Sequence, residues 1–314
     1  MKKLAMAICM AAGTLILVSP AFSKGASHPG QGQGVVTVLP KLGKEAPLNI
    51  TLQDVQIKVD RKETTVTNWV PLRGPNDSLQ LVVLIDGSAR SSLGQQLGDV
   101  ASFILSLPAT AKVAVAYMEN GHAALAGPLS SDHALVARGL HMTGGSPGST
   151  GSPYFCISDL ARNWPSGDRE ARHEVVLITD GVDTFNPRFD PEDPYVQTAI
   201  SDSVRAGLVV YSIYWRDRGN ANNSLAEGDT GQSLLSEVTQ ATGGNSYWQG
   251  NGDPVSFQPY FEDLSWRLQN QYRLSFDTDL KGKPEIESLA LKVGGPAAKV
   301  YAPQQVFIGA GVAA

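Results

Sequence analysis

The sequence predicts an α/β protein: a doubly wound, mostly parallel, Rossmann-like sheet with helices on both faces, plus a small β module made by the chain's two ends. Three observations carry this. Leu81–Ile85, Val175–Thr179 and Leu208–Tyr214 are strand-length apolar runs without polar alternation, as in strands buried on both faces. Amphipathic helical stretches separate these runs, which is the order of βαβ units. Outside residues 79–271 the pattern becomes a period-two alternation rich in β-branched residues, as in half-buried antiparallel strands.

The chain opens on Lys2-Lys3, an apolar run to Val18, and small residues at Ala21 and Ser23. That order describes a secretory signal peptide over residues 1–23, because the run is shorter than the roughly 18 residues a spanning helix needs. The expected location is therefore exported, periplasmic or extracellular, with no stable membrane insertion after cleavage. Cleavage leaves 314 − 23 = 291 residues and removes two lysines, so the formal charge moves from −5 to −7. An acidic chain of this kind argues against a nucleic-acid partner. Cys9 leaves with the leader and Cys156 remains alone, so no internal disulfide is available.

The elements follow in order. Residues 24–34 are poor in apolar side chains and are expected to be a flexible tether. Residues 35–78 form an N-terminal β segment, with strands at Val35–Leu39, Val55–Val59 and Thr64–Val70. Leu81–Ile85 opens the α/β domain of residues 79–271, followed by a helix over Leu93–Leu107. Strands at Lys112–Met118 and Ala123–Leu129 flank an Asn120-Gly121 hairpin turn. Asp132 is expected to cap a helix running to about Met142. A Gly/Ser/Pro loop fills residues 143–151 and a helix begins at Pro153. After the Val175–Thr179 strand come a helix over Tyr195–Ala206 stopped by Gly207, the Leu208–Tyr214 strand, and helices over Ser233–Thr242 and Phe257–Asn270. Residues 272–314 alternate again and are expected to pair with residues 35–78, since unpaired edges are aggregation-prone.

The chemistry concentrates at two strand ends. Leu84-Ile85-Asp86-Gly87-Ser88-Ala89-Arg90-Ser91 places a carboxylate and hydroxyls after the first buried strand, and Ile178-Thr179-Asp180-Gly181 places a carboxylate after the central one. Hard oxygens of this kind suit Mg²⁺, Mn²⁺ or Ca²⁺. The pattern resembles the metal-ion-dependent adhesion site of von Willebrand factor A (VWA) domains, whose first loop runs Asp-x-Ser-x-Ser. The resemblance spans about residues 79–270. It is narrower still to the exported bacterial VWFA-related group, through Val66-Thr67-Asn68-Trp69-Val70-Pro71 ahead of the Asp-x-Ser loop and Asn270-Gln271-Tyr272 behind it. It implies Asp86, Ser88, Ser152 and Asp180 as ligands of the cation, directly or through water. Ser152, in Gly151-Ser152-Pro153-Tyr154-Phe155, stands where the family has threonine. Arg90 departs from the family serine. Turned inward, its guanidinium would pair with Asp86 or Asp180 in the cation's place; turned outward, it leaves Ser91 to move in.

Plainer readings stand beside these. Asp86 also suits a backbone cap, and Ser152 before Pro153 has the form of an ordinary helix N-cap. Asp183 is either an outer ligand or a solvated loop carboxylate. Gly144-Gly145-Ser146-Pro147-Gly148 matches a hydrolase elbow, but no strand precedes it and no histidine follows His173, so the required Asp-then-His order fails. Asp190-Pro191-Glu192-Asp193 lacks the spacing of a Ca²⁺ loop and reads as the start of a helix. Cys156, beside Phe155 and Ile157, reads as a buried hydrophobe. The resemblance implies a non-enzymatic adhesion module that engages a protein partner through an acidic side chain completing the cation's coordination. The alternatives are a metal-free envelope assembly module and a metal- or serine-dependent hydrolase.

Overall fold

A computed structural model describes residues 28–41, 48–89, 91–142, 152–183, 193–216, 225–250, 252–280, 282–295 and 297–310. The leader, the 143–151 loop, Arg90, Asp190 and Glu192 lie outside the described residues. In chain order the elements are β1 (His28–Pro40), β2 (Val55–Val59), β3 (Lys62–Pro71), β4 (Leu79–Asp86), α1 (Leu97–Ser106), β5 (Lys112–Glu119), β6 (His122–Leu125), α2 (His133–Arg138), α3 (Pro153–Arg162) and β7 (Arg172–Thr179). Then come α4 (Pro194–Ala206), β8 (Val209–Tyr214), α5 (Leu225–Thr242), β9 (Ser246–Tyr247), α6 (Gln258–Gln269), β10 (Gln271–Leu280), β11 (Glu285–Val293), β12 (Ala298–Tyr301) and β13 (Gln305–Ala310).

A six-stranded sheet in the order β6-β5-β4-β7-β8-β9 forms the α/β half. Its strands run parallel except for β6, which returns antiparallel to β5 after Asn120-Gly121. Both faces are covered, as the unbroken apolar runs require. Leu81, Val83 and Ile85 pack with Phe103, Ile104 and Leu264 of α1 and α6. Val82 and Leu84 pack with Tyr154, Ile157, Val196 and Val238 of α3, α4 and α5. Local signals set the helix ends: Asp193 Oδ1 accepts from Tyr195 N at 2.8 Å, Pro194 follows, and Gly207 closes α4 with a left-handed φ of 66°.

The β segments build more than the small module expected. Seven strands join in the order β10-β3-β2-β11-β13-β1-β12, and a further β1–β10 pairing closes them into a barrel-like sheet. Every one of its pairings is antiparallel. Val36, Trp69, Leu274, Phe276 and Ile308 are among the side chains of its core.

The predicted tether needs correction here. His28–Gly34 is not a flexible lead but the first half of β1, paired with β10 from His28↔Leu280 to Gly34↔Leu274. Gly30, Gly32 and Gly34 continue the period-two spacing of Val36 and Val38, so glycine holds inward positions where side chains from other strands cross. A Cβ on Gly32 would lie 2.3 Å from Phe276 Cζ. The strand is apolar-poor because its neighbours fill the space.

A buried polar seam joins the halves. Arg172, at the start of β7, donates through Nη1 to Leu72 O and through Nη2 to Asp77 Oδ1, both at 2.8 Å. Gln271 Nε2 donates to Tyr211 OH at 3.1 Å. Glu174 lies fully buried, its Oε1 3.5 Å from Arg172 Nε. Burial pushes its carboxyl up to about 7, against the lowering effect of Arg172.

Two outcomes follow for the fold. Gly32→Val is expected to cost about 1–3 kcal/mol by overpacking against Phe276, read from urea unfolding, and Phe276→Ala in the same chain should recover part of the loss. Glu174, raised in the folded state from a reference near 4.3, keeps a proton that the unfolded chain releases, so stability falls as pH rises from about 4.3 to about 7 and levels off above. Glu174→Gln should flatten that slope in denaturant midpoints measured across the range.

Candidate functional site

The order of strands decides where a site can form. From β4 the chain steps to β5 on one side, and β7, β8 and β9 then extend the sheet on the other. The sheet therefore reverses direction between β4 and β7, the switch point at which open α/β sheets leave a crevice above their carboxyl ends. Asp86 ends β4, and Asp180 follows β7 directly.

Parallel pairing of Ile85 with Ile178 brings Asp86 beside Thr179. Asp86 is only 3% exposed, and a carboxylate so far from water needs hydrogen-bond donors. Oδ1 accepts from Ser88 N at 2.9 Å and Ser88 Oγ at 2.7 Å. Oδ2 accepts from Thr179 Oγ1 at 2.9 Å. Thr179 Oγ1 in turn accepts from Gly181 N at 3.2 Å, and Asp180 Oδ1 accepts from Val182 N at 2.9 Å. The two loops thus share one hydrogen-bonded unit.

The third wall is the start of α3. Ser152 is fully buried and accepts from Phe155 N at 3.4 Å, the geometry of an N-cap. One turn on, Cys156 has its thiol pushed up chiefly by burial and next by the charge of Asp86. Tyr154 OH donates to Gly181 O at 2.8 Å. Its hydroxyl is held well above the ordinary range by burial, then by the charges of Asp183, Asp180 and Asp193. The thiol and the phenol both stay protonated, which suits neither to nucleophilic work. Behind the second loop, α5 packs so closely that a Cβ on Gly231 would lie 2.1 Å from Asp180 O.

Of the residues singled out from sequence, Asp86 and Ser88 are joined directly, Ser152 caps the adjacent helix, Asp180 accepts from Val182 N in the second loop, and Asp183 lies buried three residues further on. Arg90 lies outside the described residues, and of Ser91 only the backbone is described, in a 3-10 helix over Ser91–Gln96. Sequence reading passed over Thr179 and Tyr154. Thr179 had a legible signal, as the polar last residue of an otherwise apolar strand; Tyr154 had none, since its role depends on α3 meeting the Gly181 turn.

Among the described residues, no group of three or more histidine, cysteine, aspartate and glutamate side chains is placed to hold a metal. The donor set here is different in kind, carboxylate plus hydroxyl oxygens, and it fits a hard divalent cation.

No protein-family model matches the chain, and no curated protein does. Solved structures with a similar arrangement include VWA-domain proteins. The conserved hypothetical protein BatB from Bacteroides thetaiotaomicron is 14% identical over 60% of this chain and 97% of its own, with a TM-score of 0.44. VWA2, the ArnB paralog from Sulfolobus acidocaldarius, is 9% identical over 87% of this chain and 75% of its own, at 0.40. Proximal thread matrix protein 1 of the mussel byssus, described with a zinc-occupied MIDAS motif, is 14% identical over 64% and 48%, at 0.44. The fold of this chain stands on its own strand order and on the placement of Asp86 and Thr179, not on these overlaps.

Thr179→Val, nearly isosteric, would leave Asp86 Oδ2 without this donor in a buried setting. The expected loss is about 1–3 kcal/mol of stability, measured by denaturant unfolding, with Thr179→Ser close to the parent protein.

Proposed function

We propose that the chain is an exported, non-enzymatic VWA-type binding module that engages a protein partner at the carboxyl end of its parallel sheet. The observation that supports this most is the Asp86–Thr179 contact at the switch point, with Ser88 on the other carboxylate oxygen. In this reading Asp86, Ser88 and Ser152 hold a divalent cation, directly or through water, and Asp180 sets the local charge. Mg²⁺, Mn²⁺ or Ca²⁺ suits the oxygen set. The hydroxyls of Ser88 and Thr179 now give their protons to Asp86 and keep lone pairs for a cation. A carboxylate of the partner completes the coordination, which gives adhesion that depends on the metal. The surface is periplasmic or extracellular. No helix among the described residues is long and apolar enough to cross a membrane.

Arg90 makes a second outcome concrete. A guanidinium at the fifth position of the loop can recognise an acidic partner by a bidentate, charge-assisted pair without any cation.

Thermal unfolding of the mature protein with EDTA, Mg²⁺, Mn²⁺ or Ca²⁺ separates the two. A cation bound only to the folded state should add about 2.7 kcal/mol at a hundredfold excess over its dissociation constant. That gain should vanish in Asp86→Ala. No shift in the parent protein together with a shift in Arg90→Ser would assign the cation's place to Arg90. No shift in either would sink the metal-dependent reading.

A further inference from the structure

The opposite end of β7 carries a feature that the proposed site does not use. Arg172 and His173 begin that strand, roughly 25 Å from Asp180 at about 3.3 Å per residue. Here the α/β half and the barrel-like sheet part to leave a cleft of about 470 Å³. Arg162, Arg169, Arg172, Arg205, Arg273 and His173 line it, and no aspartate or glutamate does. In a chain with 30 acidic residues against 25 lysines and arginines, such a lining concentrates arginine on one surface, with Asp77, Asp202 and Glu170 pairing three of the five from just outside it.

These cations differ in availability. Arg172 is buried and committed to Asp77 and Leu72. Arg162 pairs with Asp202 at 2.8 Å and Arg273 with the exposed Glu170 at 3.4 Å, so each is partly engaged. Arg205 lies over the Phe307 ring at 5.3 Å, which leaves its edge free to donate. Among the described residues, Arg169 and Arg205 make no ion pair, and both are exposed. One wall is rigid. Trp164 stacks on His173 with ring centres 4.6 Å apart and donates through Nε1 to Gln80 Oε1 at 2.8 Å. His173 Nε2 donates to Asp168 O at 3.0 Å, and burial lowers the pKa of its ring. At neutral pH the positive charge of the cleft therefore resides in its arginines.

Shape and rim chemistry narrow the ligand. Past Ala206 and Gly207 the cleft continues into a second hollow of about 330 Å³, which shares Gln33 and Arg205 with it and is also lined by the exposed Asp277. A trough of that length suits an extended segment better than a compact ion. Helices α3 and α4 both end at this rim, and the last carbonyls of a helix lack intrahelical partners. Those carbonyls accept amide N–H groups, which a peptide supplies and a phosphate or sulfate does not. A peptide with acidic side chains offers both matches: N–H donors for the carbonyls and carboxylates for the guanidinium forks.

We propose that this cleft binds an acidic polypeptide segment of a protein partner, as a second binding site independent of the cation reading at Asp86. The test is fluorescence anisotropy of a labelled hexaglutamate peptide on the full chain, in EDTA at low salt. Hexalysine, pyrophosphate and a sulfated oligosaccharide serve as comparisons. Hexaglutamate should bind, weaken with added salt, and weaken by about tenfold or more in the exposed double variant Arg169→Glu/Arg205→Glu. Asp86→Ala should leave it unchanged, so failure of the cation reading and of this one stay distinguishable. Unaltered thermal unfolding of the double variant would show that it still folds. Absence of hexaglutamate binding, or binding indifferent to the double variant, would overturn the proposal. Tighter capture of pyrophosphate or the sulfated oligosaccharide would overturn the peptide assignment in favour of another anion.

Discussion

A carboxylate held out of water at the end of a buried strand imposes a condition on everything around it. Asp86 sits 3% exposed, and such a group persists only with donors aimed at both oxygens. Ser88 meets one oxygen from its own loop and Thr179 meets the other from the neighbouring strand. The second donor exists only if β4 and β7 are adjacent, parallel and in the Ile85↔Ile178 register. Strand order, register and site are thus one constraint seen at three scales. A one-residue slip would turn Thr179 to the opposite face of the sheet and an apolar neighbour toward Asp86.

The barrel-like sheet serves the same end indirectly. The connection leaving it from β3 to β4 holds the amino end of β7 through Arg172, whose guanidinium reaches Leu72 O and Asp77, and the sheet itself meets β8 through Gln271 and Tyr211. The seam is polar and buried, so its groups depend on partners across it as well as along β7. Closure of the sheet through β1 also leaves fewer open edges, the hazard that two β-rich chain ends would otherwise present. That closure depends on Gly32 yielding its side-chain space to Phe276.

Charge is distributed along the strand axis in a way that net composition hides. The carboxyl end of the sheet gathers Asp86, Asp180, Asp183 and Asp193, and burial, followed by the charges of Asp183, Asp180 and Asp193, keeps Tyr154 protonated. The amino end gathers arginines around an aromatic wall of Trp164 and His173. A formal charge of −5 describes neither surface. Recognition at either end would be governed by local fields, since a cleft with low-dielectric walls focuses them.

Much of the central sheet was legible in the residues. Unbroken apolar runs marked β4, β7 and β8, and Asp132, Asp193-Pro194 and Gly207 marked helix ends, because backbone capping is a local matter of a few atoms. The two acidic strand ends were visible for the same reason, each being a polar residue that stops an apolar run. Other features had no local signal. Gly30, Gly32 and Gly34 look like a linker, since glycine is the same residue whether it yields space to a neighbour or to water. Tyr154 against Gly181, the arginine-lined cleft and the closing of the barrel all join residues far apart in the chain. By itself the sequence determined which segments could be strands and helices, where their ends lay, and which carboxylates stood at strand ends. Only the tertiary structure decided which side chain meets which carboxylate and which charges share a surface, because those depend on strand order and register, set by the packing of the whole core.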